Sequence, residues 1–276
     1  MKLRNSENME INLQKAEIEN SKNLIRLRSL RPLDDDFMRC MFKDNIPLAQ
    51  LVLRIITSMD DLVITGIETQ RDMKRLVGAR SICLDAYGND SQGRKYDLEI
   101  QRADSGAAVR RARYHASAMD VENLSAGQDF DELPEAYTIF ITEHDVFAEG
   151  KSVYKIERIN LGTGKPFNDG EHIIYANSKF RDDSEFGKLM HDFNCSDPNK
   201  MKIGLMRETA RYYKENPEGV SVMCKIMEDM VNESAREKAI AIAKKLILRG
   251  TNTLEEIAED TELSLQTVKE LAGVTT

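Results

Sequence analysis

The segment SICLDAYGNDSQGRKYDLEIQ, residues 81–101, contains two carboxylates and an amide, those of Asp85, Glu99 and Gln101, whose types and spacing are suited to a catalytic site. The second half of the segment alternates between apolar and polar residues, so Asp97, Glu99 and Gln101 share one face of a predicted strand. If the turn before this strand centres near Gln92, Asp85 falls opposite Glu99. Directly opposed residues on paired antiparallel strands have Cβ atoms about 5 Å apart. Two carboxylates are therefore expected to converge.

A divalent cation would relieve the repulsion that these opposed carboxylates create. Mg²⁺ binds oxygen ligands at about 2.1 Å, typically one or two carboxylates together with water and phosphate oxygens. Asp85, Glu99 and the backbone carbonyl of Ile100 supply such ligands, and a bound ion acidifies water and polarises a scissile phosphate. The chemistry expected is metal-assisted hydrolysis of a phosphodiester. In the alternative interpretation, Asp85 begins a polar turn, and Glu99 and Gln101 face solvent from an ordinary half-exposed strand.

A run of arginines follows the second strand and offers a local basic patch. Arg102 lies at the approach to a predicted helix that carries Arg110, Arg111 and Arg113. Arg110, Arg113 and Tyr114 are spaced i, i+3 and i+4, so they share one helix face and could hold phosphates beside a metal. The alternative is a solvated helix face whose charges are balanced by nearby acids.

The order of these features resembles a known family. An acid follows a strand, then come a glycine-containing turn, an E-x-Q strand and a helix with R-x-x-R-Y; the matching residues are Asp85, Glu99 to Gln101 and Arg110 to Tyr114. This order is similar to that of the PD-(D/E)XK nuclease superfamily, specifically the branch of nuclease family transposases related to the Rpn recombination-promoting nucleases. The resemblance covers roughly residues 30–180.

The resemblance implies a restriction-endonuclease-like mixed α/β sheet flanked by helices. It also implies a Mg²⁺-dependent DNA endonuclease in which Mn²⁺ could substitute. Asp85 and Glu99 would be the metal ligands, and Gln101 would stand where the general signature has lysine. A glutamine amide can hold the attacking water through hydrogen bonds, but it supplies no positive charge to the transition state.

The upstream segment DDDFMRCMF resembles the opening helix of the same branch. Asp36 is the closest counterpart of the acid on that helix and is expected to be a further metal ligand. Asp34 or Asp35 could take this role instead, or all three could only cap the helix, because acids are favoured at helix starts.

Composition limits the partners of the chain. In its 276 residues, 39 Lys and Arg stand against 47 Asp and Glu, which gives a net charge of −8. DNA must therefore be met by a local basic patch. The four cysteines lie far apart without a C-x-x-C pair, which indicates reduced thiols. The absence of a signal peptide pattern or a long apolar segment predicts a cytoplasmic protein with no membrane association.

Periodicity predicts the elements that must position these residues. A short helix at LDDDFMRCMFKD and a second at 47–59 are followed by strands at 63–68, 79–87 and 95–101, a helix at 105–124, a strand at 136–142 and weaker strands at 153–159 and 172–176. We expect an N-terminal arm at 1–30, a nuclease-like domain at 31–183 and an all-helical C-terminal region at 184–276.

The C-terminal region is expected to end in a pair of short helices that resembles a helix-turn-helix. Thr253 and Glu256 have capping-box spacing, and Ser264 caps the second helix. The pair could recognise DNA, or it could be a packing bundle through which the chain forms a homo-oligomer. Six acids close to a single base, Lys269, argue against DNA recognition; they are Glu255, Glu256, Glu259, Asp260, Glu262 and Glu270.

Two functions from different classes follow. The first is a Mg²⁺-dependent DNA endonuclease associated with mobile elements or recombination. The second is a non-catalytic DNA- or protein-binding factor on a nuclease-like fold. The four histidines, His115, His144, His172 and His191, are scattered without metal-site spacing and are expected to be surface or packing residues.

Overall fold

The computed structural model describes residues 21–73, 82–102 and 104–273. The chain divides into two compact units, Met1–Met223 and Cys224–Thr276. Most of the predicted N-terminal arm and the first residues of the predicted strand at 79–87 lie outside the described residues.

The helices begin with a helical stretch at 21–29. They continue with α1 (Asp35–Phe42), α2 (Ile46–Thr57), α3 (Val109–Asn123), α4 (Glu185–Phe193), α5 (Gly204–Glu215), α6 (Pro217–Arg249), α7 (Leu254–Thr261) and α8 (Leu265–Leu271). The strands are β1 (Ile64–Asp72), β2 (Cys83–Asp90), β3 (Lys95–Gln101), β4 (Ala136–Thr142), β5 (Val153–Ile156), β6 (Ile159–Asn160), β7 (Lys165–Pro166) and β8 (Glu171–Asn177).

A mixed six-stranded sheet forms the centre of the first unit, with strand order β1-β2-β3-β4-β8-β5. The first three strands pair antiparallel, whereas β3, β4 and β8 run parallel and β5 returns antiparallel along β8. Helices flank this sheet, and a helical region follows it, so the expected fold class is confirmed. Helices α4 and α5 pack against α2 and α1 within this same unit, which extends to Met223.

The hairpin of β2 and β3 has the register that the sequence predicts. Tyr87 lies opposite Asp97, so the pairing is centred on Gln92. Continued by two residues, the same register sets Asp85 opposite Glu99. β3 is an interior strand between β2 and β4, and on its polar face the side chains of Asp97 and Glu99 are buried while Gln101 is half-buried.

Helix α3 covers the polar face of β3. The expected helix at 105–124 is split, because a 3₁₀ turn at Asp104–Ala107 precedes α3. The small side chain of Ala112 packs against Phe140 and Tyr175, whose rings stack at 5.4 Å on neighbouring strands. Short helix side chains allow a close approach to the sheet, and this approach removes the polar residues of β3 from solvent.

The second unit contains the C-terminal part of α6 together with α7 and α8. The Thr253 side chain accepts the backbone N–H of Glu256, and the Glu256 side chain accepts that of Thr253, so the predicted capping box is present. Ser264 caps α8 as expected. The core of this unit is formed by Ala243, Ile257 and Val268. None of the helices in the described residues is long and apolar enough to cross a membrane.

Candidate active site

Each of the carboxylates of Asp85 and Glu99 accepts a hydrogen bond from a backbone N–H of the strand that carries the other. The backbone N–H of Asp85 donates to Glu99 Oε1 at 3.0 Å, and the backbone N–H of Ile100 donates to Asp85 Oδ2 at 3.0 Å. The structure therefore brings the predicted pair together. The alternative in which Glu99 faces solvent is wrong, because its side chain is 0% exposed.

Burial and mutual repulsion disfavour the charged forms of these acids. Burial, and then the charge of Glu99, raises the pKa of Asp85 to about 7. Burial, and then the charge of Asp97, raises the pKa of Glu99 to about 8. Burial also raises the pKa of Asp97 well above its ordinary value. Buried carboxylates that keep protons near neutral pH lack the positive charge that would ionise them.

A histidine from α3 lies against the same acids. His115 Nδ1 is 3.0 Å from Asp97 Oδ2 and 3.7 Å from Glu99 Oε1. Burial lowers the pKa of His115, which favours a neutral ring at neutral pH. The expectation of a surface or packing residue is therefore incomplete, because His115 is part of a buried polar group. Sequence reasoning put Asp97 on this face but gave it no role.

Arg111 and Gln101 converge on one oxygen of Glu99. Arg111 Nη2 lies 3.2 Å from Glu99 Oε2, and Gln101 Nε2 lies 3.3 Å from the same atom. Gly106 keeps room for the amide, since a Cβ at that position would collide with the Gln101 side-chain oxygen. We call the set of Asp85, Asp97, Glu99, Gln101, Arg111 and His115 the hairpin cluster.

The three acids at the start of α1 have different partners. Asp36 forms an ion pair with Arg26 at 2.5 Å, and no contact of the described residues joins it to Asp85. Asp35 pairs with Arg39 at 3.1 Å, and the negative charge of Asp35 contributes to the raised pKa of Asp85. Of the three, Asp35 thus acts electrostatically on the hairpin cluster, while the role of Asp36 as a metal ligand stays a prediction.

Of the predicted phosphate-binding residues, Arg102 lies before α3, whereas Arg110, Arg113 and Tyr114 lie on that helix. Arg102 pairs with Asp34 at 3.0 Å and with Glu143 at 3.3 Å. Arg110, Arg113 and Tyr114 are all exposed on α3. The arginine that the structure brings to Glu99 is Arg111, which the sequence pattern includes but does not single out.

The charges of the site fit a divalent cation. Four carboxylates, those of the hairpin cluster and Asp35, face two guanidinium groups, those of Arg39 and Arg111. Two negative charges are left over when all of these groups are ionised. In addition, Asp97 Oδ1 is buried without a hydrogen-bond partner in the described part of the chain. Such a site can accept a doubly charged ion, and Asp85 and Glu99 are the residues that would hold it.

A second ligand set shares Glu99. Ligand atoms of Asp97, Glu99 and His115 all lie within 4.8 Å of one another. Both ring nitrogens of His115 are already engaged, however, since Nδ1 faces Asp97 and Nε2 accepts a hydrogen bond from Arg111 Nε at 3.2 Å. The Asp85–Glu99 pair needs no such rearrangement and is the better candidate.

The hairpin cluster lies within a range of the chain that matches a known family. Residues 52–188 match a family model described as PD-(D/E)XK nuclease family transposase. The matched range contains the whole six-stranded sheet and α3, and therefore every member of the hairpin cluster. No curated protein and no solved structure matches the chain.

Proposed function

Through residues 52–188 the chain belongs to the PD-(D/E)XK nuclease family transposases, and on this premise we propose that it is a divalent-metal-dependent nuclease whose substrate is DNA. We propose Mg²⁺ as the metal, with Mn²⁺ as a substitute, because the ligands offered are carboxylate oxygens. The family match supports a nuclease-like function in general. The metal, the DNA substrate and the site residues are our proposals.

One observation carries the proposal. Two carboxylates, the half-buried Asp85 and the fully buried Glu99, oppose each other on paired strands, and the ionised groups around them leave a net charge of −2 that a doubly charged ion would neutralise. In a strand pair with only a structural role, like charges placed together in the interior would destabilise the fold through their repulsion and their lost hydration. A metal that binds there offsets both effects.

The reaction proposed is hydrolysis of a phosphodiester. The oxygen of a water molecule forms a bond to phosphorus, and the bond from phosphorus to one deoxyribose oxygen breaks. That oxygen leaves as a hydroxyl after it takes up a proton, and the other product keeps the phosphate. A bound metal supplies acidification of water and polarisation of the phosphate. Gln101, whose amide lies beside Glu99, orients the attacking water by hydrogen bonding.

The decisive experiment is cleavage of supercoiled plasmid by the purified protein with Mg²⁺, with Mn²⁺ and with EDTA. Asp85→Ala and Glu99→Ala should each lower cleavage at least about a hundredfold, since a metal site contributes several kcal/mol to the transition state. Asp169→Asn is the matched control, because Asp169 pairs with Arg158 outside the hairpin cluster. It should cleave like the wild type.

Circular dichroism and thermal melting must show that each variant is folded. No cleavage with either metal, or equal cleavage by both alanine variants, would refute the proposal. The alternative of a non-catalytic DNA- or protein-binding factor would then be favoured. The association with mobile elements or recombination is supported only by the description of the family, and plasmid cleavage does not depend on it.

A further inference from the structure

The glutamine of the E-x-Q strand leaves the hairpin cluster without the charge of a lysine. An amide donates hydrogen bonds but carries no charge, and Gln101 Nε2 lies 3.3 Å from Glu99 Oε2. We propose, resting on the nuclease function proposed above, that Arg111 supplies this positive charge from α3 and that His115 and Asp97 position it.

Arg111 reaches the oxygen that Gln101 reaches. Its Nη2 lies 3.2 Å from Glu99 Oε2. The Arg111 side chain is 40% exposed while that of Glu99 is fully buried, so the guanidinium extends from the buried acid to solvent, where a phosphate can approach. Within the described residues, the contacts of Arg111 engage two of its five N–H groups. The other N–H groups can donate to phosphate oxygens.

His115 fixes the orientation of Arg111. A guanidinium can only donate hydrogen bonds, so the contact of 3.2 Å between Arg111 Nε and His115 Nε2 makes Nε2 the acceptor. The ring proton then lies on Nδ1 and is donated to Asp97 Oδ2 at 3.0 Å. A fully buried aspartate thus sets the tautomer of a buried histidine, and the histidine holds the arginine.

The contacts explain why α3 places an arginine and a histidine four residues apart. Residues i and i+4 lie on one helix face, and here that face covers β3. Arg111 at the edge of the face meets Glu99, while His115 in its middle meets Asp97. A cation attached to the helix therefore enters the site from above the strand. A lysine in place of Gln101 would instead enter along the strand.

The competing interpretation is that Arg111 only neutralises Glu99 in the metal-free protein. The two interpretations differ once a metal is bound. A mere counter-ion becomes dispensable when the metal neutralises the carboxylate, whereas a charge that stabilises the transition state is still needed. A positive charge 3.2 Å from a ligand oxygen also opposes metal binding, so its removal should strengthen binding.

The first test compares Arg111→Gln with the wild type in two measurements. Mn²⁺ affinity is measured by calorimetry, and single-turnover cleavage of a DNA duplex is measured at saturating Mn²⁺. We expect Arg111→Gln to bind Mn²⁺ at least as tightly as the wild type but to cleave about a hundredfold more slowly, since removal of one preorganised charge or donor has effects of this size. Arg211→Gln, an exposed arginine on α5 that pairs with Glu215, is the control.

The second test moves the charge. Gln101→Lys in the Arg111→Gln background places a cation on the strand, and it should restore at least about tenfold of the missing rate. In the same way, His115→Phe should slow the otherwise unchanged protein, because Arg111 loses its acceptor, while His115→Gln keeps an acceptor and should retain activity. In the Gln101→Lys background, His115→Phe should have little effect. A merely structural histidine would slow both backgrounds equally.

Several results would overturn the inference. They are cleavage by Arg111→Gln within about threefold of the wild type, loss of Mn²⁺ binding in that variant, and failure of Gln101→Lys to restore the rate. Absence of cleavage by the wild-type protein would instead refute the nuclease proposal itself. The wild-type control therefore separates the two failures.

Discussion

Two groups of acids in the first unit differ in how far neighbouring arginines neutralise them. In the first, which we call the paired cluster, Arg31 and Arg102 each bridge Asp34 and Glu143, with four contacts between 2.9 and 3.3 Å. Burial tends to raise the pKa of Glu143, but hydrogen bonds from both arginines bring it below its ordinary value. The paired cluster is therefore balanced by the protein itself.

The hairpin cluster is not balanced. Its Asp97 and Glu99 are fully buried, and Arg111 is the single arginine in contact with Glu99 among the described residues. The pKa of Asp85 and that of Glu99 rise to about 7 and about 8 for this reason. The difference shows that acids alone do not indicate a metal site. The informative feature is a buried acid group whose charge the surrounding residues leave uncompensated.

The largest expected effect that tests this comparison is on stability. At pH 8.5 without metal, Asp85→Asn should raise the free energy of unfolding by about 1–3 kcal/mol, because it removes an ionised group that burial penalises. Glu143→Gln should lower it by up to about 1 kcal/mol, because it breaks a partly exposed ion pair. Denaturant titration measures both.

The size of the stability gain from Asp85→Asn depends on pH. A carboxyl whose folded pKa is raised binds its proton more tightly in the folded state, so the stability of the wild type decreases as pH rises from the ordinary pKa toward about 7. The gain from Asp85→Asn should therefore vanish near pH 4. If both variants changed stability in the same direction at pH 8.5, the two clusters would not differ in the way described.

A smaller effect is expected when metal is added. Metal ions compete with protons for Asp85 and Glu99, so Mn²⁺ should raise the Tm by several degrees at pH 8.5 and by much less at pH 5.5. The groups that face these carboxylates are Asp35, Arg39, Asp97, Arg111 and His115. Thermal melting with and without Mn²⁺ measures the difference.

Asp85→Asn tests whether this shift in Tm comes from the hairpin cluster, and Glu143→Gln is its matched control. Asp85→Asn should lose most of the shift in Tm, while Glu143→Gln should keep it. An equal shift at both pH values, or an unchanged shift in Asp85→Asn, would show that Mn²⁺ binds elsewhere.

The hairpin was predictable because its information is local. The alternation of β3 and a turn centred on Gln92 determine that Asp85 opposes Glu99, and these features follow from strand geometry alone. The main strands were also predictable, since each has its own β-branched or alternating pattern and turn residues at its ends, whereas the mixed sheet was implied by the family resemblance.

The roles of Arg111 and His115 on α3 were not predictable in the same way. Their contacts depend on which face of α3 packs on the sheet, and Arg111 lies on a different side of that helix from the exposed Arg110 and Arg113. A signal was present: Ala112, Ala116 and Met119, at i, i+4 and i+7, are buried and indicate the packed face. Arg111 and His115 lie beside them on the helix. The sequence analysis instead selected the residues of the R-x-x-R-Y motif, and these lie on the exposed face of α3.

The smallest expected effect concerns those exposed arginines. Arg110 and Arg113 are exposed on α3, whereas Arg102 belongs to the paired cluster. In an Asp85→Ala background that does not cleave, Arg110→Gln with Arg113→Gln should weaken DNA binding several-fold. The slope of the affinity against salt concentration should fall by about one for each phosphate that these arginines no longer bind. Arg102→Gln should instead lower stability and leave most of the salt dependence. If Arg102→Gln had the larger effect on salt dependence, the paired cluster would be part of the DNA surface.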